Sequence, residues 1–246
     1  MLVPISWLKD FVDIKMDLSE LMWKMTEAGL SCESYQKVKE EIILDVEVTP
    51  NRPDWLSIWG VAREIAAIGG GKIKPLKAKQ IPAKKADLPI AVNADVKLVG
   101  RCVGVTISNV KIVQSPEWMQ KRLRWVGLRP ISNVVDITNY YMTDLGMPIH
   151  AFDYDKIKDK DLVFELAKGG EEFTSVDGIS YELSKGALII KDGGKVIDLC
   201  GIKGGESSGI SSETKKYFYP HTGLFSKFNT ANFSEIKTGL GSVLYL

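Results

Sequence analysis

The sequence predicts a mixed α+β protein in two parts, and three observations carry that prediction. Residues 1–71 hold two helical apolar stripes around an alternating strand. Residues 72–89 change composition abruptly, with six Lys, three Pro and no aromatic residue. Beyond Asp159, short alternating runs separated by glycine turns replace the helical spacing. The expected architecture is a small N-terminal α/β domain (1–71), a Lys/Pro-rich linker (72–89) and a larger α+β domain with antiparallel strands (90–246).

In the first part, Pro4 opens a helix over WLKDFV with Trp7, Leu8, Phe11 and Val12 on one side. Asp17 and Glu20 have the spacing of a capping box, followed by a buried stripe of Leu18, Leu21, Met22, Met25 and Ala28 that ends at Gly29. Leu44, Val46 and Val48 alternate with polar residues and predict a strand that stops at Pro50. Pro53 and Asp54 start the next helix, with Ile58, Val61, Ile65 and Ile68 inward and Gly69–Gly71 as its stop. The lysines of 72–89 read as a solvated connector, and contact with RNA phosphates is the other reading.

The second part begins with a strand over Cys102–Ile107. Ser115, Pro116 and Glu117 read as N-cap, N1 and first-turn acid of a helix running to about Gly127. Asn133 caps another helix, on which Val134, Ile137, Tyr141 and Leu145 share a face, and Gly146 and Pro148 end it. Leu162, Phe164 and Leu166 alternate, Asp177-Gly178 is a hairpin turn, and Asp192-Gly193-Gly194 separates ALIIK from KVIDLCG.

Composition narrows the function. Lys plus Arg number 32 against 31 Asp plus Glu, so no global field drives nucleic-acid or membrane binding. No run of 18 or more apolar residues occurs, and the three cysteines are far apart, fitting neither a disulfide framework nor a CxxC site. A cytoplasmic protein with no membrane span, no metal site and no cofactor is expected. GxSxG, HExxH and the phosphate-loop order are absent. His150 and His221 are the only two histidines available for proton transfer near neutral pH. Thr138 and Asn139 edge the polar side of one helix, His150 follows a chain break, and Glu206 sits among Gly204, Gly205 and Ser207, where a ligand can approach the backbone closely. Taken alone, Gly201–Gly209 reads as a tight turn between strands.

As a set, VPISWLKDFVDI, EAGLSCE, DVEVTPNRPDWLSIWGVAREIAAI, RPISNVVDITNYYMTDLGMPIHAFDYDKI and CGIKGGESSGI resemble, in order, the N-terminal part of the β subunit of bacterial phenylalanyl-tRNA synthetase. That resemblance implies an editing-type second domain, which hydrolyses tyrosine wrongly attached to phenylalanine tRNA. Thr138, Asn139, His150 and Glu206 then match family positions lining the editing site, with Glu206 as reader of the tyrosine hydroxyl. The chemistry is coherent. A hydrophobic synthetic pocket rejects an added hydroxyl by only about a hundredfold, so a second site that prefers the hydroxylated side chain is useful. A carboxylate accepting from a phenol contributes about 1.5–3 kcal/mol, and phenylalanine leaves that charge unpaired. Backbone N–H groups of Gly201–Gly205, with Asn139, are candidates to stabilise the oxyanion, and His150 to orient water or act as base. No Ser or Cys has an evident base partner, so no side-chain nucleophile is assigned.

The sequence also departs from the family. About ten residues, Ser34–Ile43, stand where the tRNA-binding, OB-type insertion normally enters. No class II motif is present, so ATP and Mg²⁺ belong to the full synthetase. After Ser211 the resemblance fades, while Lys203 replaces an apolar residue and Asp198 a small one. The resemblance implies phenylalanine tRNA as partner and the synthetase α subunit as a second. An editing hydrolase of the phenylalanine–tRNA ligase family is the leading expectation. A non-catalytic module that binds tRNA or the α subunit is the alternative.

Overall fold

A computed structural model of the chain describes residues 1–76, 88–224 and 237–238, with 221–224 and 237–238 given by their backbone. The chain forms two compact units, Met1–Ala83 with Val113–Pro148, and Lys84–Ile112 with Ile149–Leu246.

In the first unit, β1 (Leu2–Pro4) leads into a single helical turn, α1 (Ile5–Leu8), and then into β2 (Val12–Ile14). The helix expected through Val12 therefore stops early. Residues 12–14 pair antiparallel with β5 (Gly71–Ile73), which satisfies their backbone groups while Val12 is fully buried. α2 (Leu18–Glu27) starts where expected, with the Asp17 carboxylate accepting from the Glu20 N–H at 2.9 Å. β3 (Ser34–Val38) and β4 (Glu41–Asp45) form a hairpin, and β1 adds on the far side in the order β1-β4-β3.

Pro53–Trp55 forms a separate 3₁₀ turn, and α3 (Ile58–Ala67) restarts at Ser57, whose hydroxyl accepts from the Gly60 N–H at 2.9 Å. A β-carbon on Gly60 would lie 1.9 Å from the Asp54 carbonyl oxygen, so only glycine lets the turn lie against the helix. Because β5 uses Gly71–Ile73, the first residues of the expected linker belong to the fold. Residues 77–87, most of that linker, lie outside the described residues.

α4 (Glu117–Trp125) and α5 (Asn133–Leu145) join this first unit, whereas the sequence assigned them to the second. The reason is aromatic packing. Tyr140 stacks on Trp7 with ring centroids 4.5 Å apart, and the Trp7 indole N–H donates to Asp144 at 2.7 Å. Arg122 donates to Asp10 and to the Tyr140 hydroxyl, each at 2.6 Å. This packing also rotates α5 from its expected face: Val134, Asp136, Thr138 and Thr143 are buried, while Ile137 is 41% exposed. Pro116 is the N-cap of α4, because the Ser115 hydroxyl donates to Asp136 instead, and Ser132 precedes α5 as its N-cap.

The second unit comprises β6 (Ala91–Ala94), β7 (Val99–Ile107), β8 (Phe152–Asp153), β9 (Asp161–Leu166), β10 (Glu171–Thr174), β11 (Ser180–Leu183), β12 (Leu188–Asp192), β13 (Lys195–Leu199), β14 (Lys203–Gly204), β15 (Tyr217–Leu224) and β16 (Lys237–Thr238). They form a five-stranded sheet, β14-β13-β12-β9-β6, and two three-stranded sheets, β7-β15-β8 and β10-β11-β16. Pairing is antiparallel except between β6 and β9. Gly193 and Gly194, with φ of 55° and 79°, supply the two left-handed residues that a tight turn between β12 and β13 requires. Period-two alternation sends Leu188 and Ile190 into one apolar cluster, with Phe152, Phe164 and Phe218, and Ile189 and Leu199 into another, with Phe173 and Leu183.

Candidate functional site

The short pair β13–β14 carries the Gly201–Gly209 segment, and its register sets Asp198 opposite Gly204 and Leu199 opposite Lys203. Side chains opposite one another across a strand pair share a face. On the Leu199 face, Lys203 donates to Asp177 at 2.6 Å and to the Tyr181 hydroxyl at 3.0 Å, so this cation is engaged away from the Gly204 face. On the Gly204 face the glycine leaves a gap, and His150 fills it. A β-carbon on Gly204 would lie 1.9 Å from His150 Cε1 and 2.0 Å from Nε2. The imidazole also meets Phe152 edge-on at 4.8 Å.

His150 Nε2 is buried and without a hydrogen-bond partner among the described residues. Burial holds this imidazole down at about 4, so it is neutral at physiological pH. Beside it, Gly205 approaches the sheet closely: its N–H donates to the Ile197 carbonyl at 2.9 Å, and a β-carbon there would fall 2.6 Å from that oxygen. Ser208 ties the turn down by donating to the same carbonyl at 3.1 Å. Two of the expected oxyanion donors are consequently committed, since Ile202 N–H donates to the Leu199 carbonyl and Gly205 N–H to Ile197.

Glu206 opens a 3₁₀ turn, Glu206–Ser208, and is exposed; its carbonyl accepts from the Gly209 N–H at 3.2 Å, while its carboxylate has no hydrogen bond or ion pair among the described residues. Its carboxylate is available to a ligand. The penalty for leaving its charge unpaired, on which discrimination depends, arises only once a ligand covers it. Thr138 and Asn139 lie in the first unit. The Thr138 hydroxyl donates to the Val135 carbonyl at 2.7 Å, while Asn139 is half-buried and accepts through its own carbonyl from Thr143 at 2.9 Å. The second unit thus brings His150 against Gly204, with Gly205 and the Glu206 turn following along the chain. His221 lies on β15, where its backbone is opposite Val103.

Sequence reasoning noted Asp198 only as a departure from the family. It is buried on the Gly204 face, in a strand whose neighbours Ile197 and Leu199 are apolar. Burial pushes its carboxyl up to about 8, so it is protonated at neutral pH. A lone acid in the apolar run VIDLC was the available signal. No group of three or more His, Cys, Asp or Glu among the described residues is arranged to hold a metal ion. Nor is any described helix long and apolar enough to cross a membrane.

Residues 98–233, more than half of the chain, match the B3/4 domain family. The chain belongs to the B3/4 domain family. The matched stretch includes β7, α4, α5 and the whole His150–Gly204–Glu206 arrangement. The chain is also similar to phenylalanine–tRNA ligase beta subunits. It is 40% identical to that of Carboxydothermus hydrogenoformans over 189 residues, which is 76% of this chain and 24% of the relative. It is 43% identical to that of Cereibacter sphaeroides over 194 residues, 77% of this chain and 24% of the relative. The chain therefore spans about a quarter of the length of these relatives. Among solved structures it is similar to an N-terminal fragment of the phenylalanyl-tRNA synthetase beta subunit from Pyrococcus horikoshii. That likeness has a TM-score of 0.44 and 18% identity, covering 93% of this chain and 69% of the other.

Proposed function

We propose that this B3/4 chain acts in quality control of tRNA aminoacylation, hydrolysing the ester that joins misattached tyrosine to phenylalanine tRNA. Phenylalanine tRNA is then its substrate-bearing partner, and the α subunit of the ligase its protein partner. The observation that carries this reading is the neutral, buried imidazole of His150 lying against Gly204, with Nε2 unpartnered among the described residues. A neutral imidazole at a turn of small residues can take a proton from an attacking water as the new C–O bond forms, then return it to the ribose oxygen as the ester bond breaks. Gly204 and Gly205 let the aminoacyl group approach the backbone, and Glu206 at the rim accepts from the phenol of tyrosine.

The experiment is a deacylation assay with purified chain and tyrosyl-tRNA specific for phenylalanine. Tyrosine release above the protein-free rate, reduced at least about a hundredfold in His150→Gln, supports hydrolysis through the imidazole. Release that is unchanged in His150→Gln contradicts it.

Two observations favour a second reading, a non-catalytic module that binds tRNA or the α subunit. Glu206 is exposed and the Thr138 hydroxyl is already engaged with Val135. Absence of hydrolysis together with salt-sensitive tRNA binding would establish that alternative.

A further inference from the structure

Asp198 and His150 converge on the same small patch of the second unit from different elements. Asp198 is the Cα partner of Gly204 in the β13–β14 pair. Residues opposed in this way place their β-carbons about 5 Å apart on one face of the sheet. The point where a Gly204 β-carbon would stand is occupied by the His150 ring, 1.9 Å away at Cε1. The Asp198 β-carbon therefore stands on the sheet face against which the imidazole lies, about 5 Å from the point the ring occupies. His150 Nε2 is buried and unpartnered among the described residues, and burial alone raises the Asp198 carboxyl.

The other titratable groups near this patch are few. Cys200 follows the strand of Asp198 by one residue; burial pushes its thiol well up, and Asp198 and Cys102 add to that rise. Cys102 on β7 is itself raised by burial. The neighbour from β12 is Ile190, which is apolar, and Lys203 on β14 is engaged with Asp177 on the opposite face.

We propose that Asp198 is the positioning partner of His150: its carboxyl, on the Gly204 face, sets the orientation and proton affinity of the imidazole that acts on the attacking water. The hydrolytic part of this inference rests on the function proposed above. The proton balance is simple. While Asp198 is protonated, the pair is uncharged and the imidazole is a weak base. When Asp198 loses its proton to solvent, the new negative charge stabilises the imidazolium that forms as His150 takes the water's proton. The carboxylate is unchanged when the imidazolium delivers that proton to the ribose oxygen.

The test has two arms. In the first, ¹⁵N resonances of the His150 ring, assigned by their loss in His150→Gln, are followed from pH 5 to 9.5 in the full chain. The expected result is a shift with a midpoint near 8 that disappears in both Asp198→Asn and Asp198→Ser, the second keeping the test open if the amide disturbs folding. In the second, tyrosine release is measured over the same range against protein-free controls. The wild-type rate should rise about tenfold through the same midpoint, as expected for one unit of added proton affinity, and both variants should be flat. A His150 resonance with no step near 8, or with the same step in the variants, overturns the pairing even if the wild type hydrolyses its substrate. A step in the resonance with no hydrolysis at any pH leaves the pair standing and overturns its hydrolytic role together with the proposed function.

Discussion

The imidazole of His150 fills the space that a side chain on Gly204 would need, with a hypothetical β-carbon falling 1.9 Å from Cε1 and 2.0 Å from Nε2. Ring and backbone are therefore interlocked. Gly204→Ala should displace the ring and destabilise the second unit by about 1–3 kcal/mol, the usual penalty for overpacking a filled site. Denaturant titration checks the energy, and the His150 ring resonances check the displacement. A variant as stable as the parent with unmoved resonances would contradict this packing.

Asp198 and His150 make stability depend on pH in opposite senses. The folded Asp198 keeps its proton up to about 8, whereas the unfolded one loses it near 3.8, so stability falls as pH rises across that window. His150 takes its proton at about 4 when folded and near 6.5 when unfolded, so stability rises with pH between those values. The two slopes oppose each other below pH 6.5, and only Asp198 acts above it. Unfolding free energy should drop by about 2 kcal/mol from pH 6.5 to 8, on the basis of 1.36 kcal/mol per unit, and Asp198→Asn should remove the drop. Equal pH dependence in parent and variant would refute the assignment.

In the first unit, the buried Trp7 ring has its indole N–H donated to Asp144 at 2.7 Å and its face covered by Tyr140. Asp144→Ala should destabilise the unit by about 1–3 kcal/mol because the buried donor is left unpaired, while Asp144→Asn, which retains an acceptor, should lose less. Trp7 fluorescence during guanidinium unfolding reads the difference most directly in variants that keep only this tryptophan. Equal losses in the two variants would show that the hydrogen bond is not the source.

The Ser57 hydroxyl satisfies the Gly60 N–H at the start of α3 in a buried setting. Ser57→Ala should lower stability by about 1 kcal/mol, and Ser57→Gly by only a few tenths. Thermal unfolding of the three proteins checks the order.

Much of this architecture was legible because local signals agreed with tertiary need. Asp17 caps α2, Gly193-Gly194 turns β12 into β13, and Leu162 and Phe164 alternate inward as their spacing implied. What failed depended on distant partners. Nothing near Ile137 reveals that Trp7, more than a hundred residues earlier, takes Tyr140 and Asp144 and so turns Ile137 outward. The same contact carries α4 and α5 into the first unit. At the site, the resemblance singled out His150 and the Gly204–Glu206 turn, and the structure brings His150 and Gly204 into contact. It could not show that Ile202 and Gly205 spend their N–H groups on the sheet, or that Glu206 stands exposed. Those outcomes follow from the register of β13 and β14, which rests on pairing rather than on composition.

The central claim is tested most directly by presenting the purified chain with phenylalanine tRNA charged separately with tyrosine and with phenylalanine, and comparing the two rates of amino-acid release. The account predicts faster release of tyrosine, by about ten- to a hundredfold for one charge-assisted hydrogen bond, and loss of that ratio in Glu206→Ala. Equal rates for the two esters, or no release of either, would contradict it.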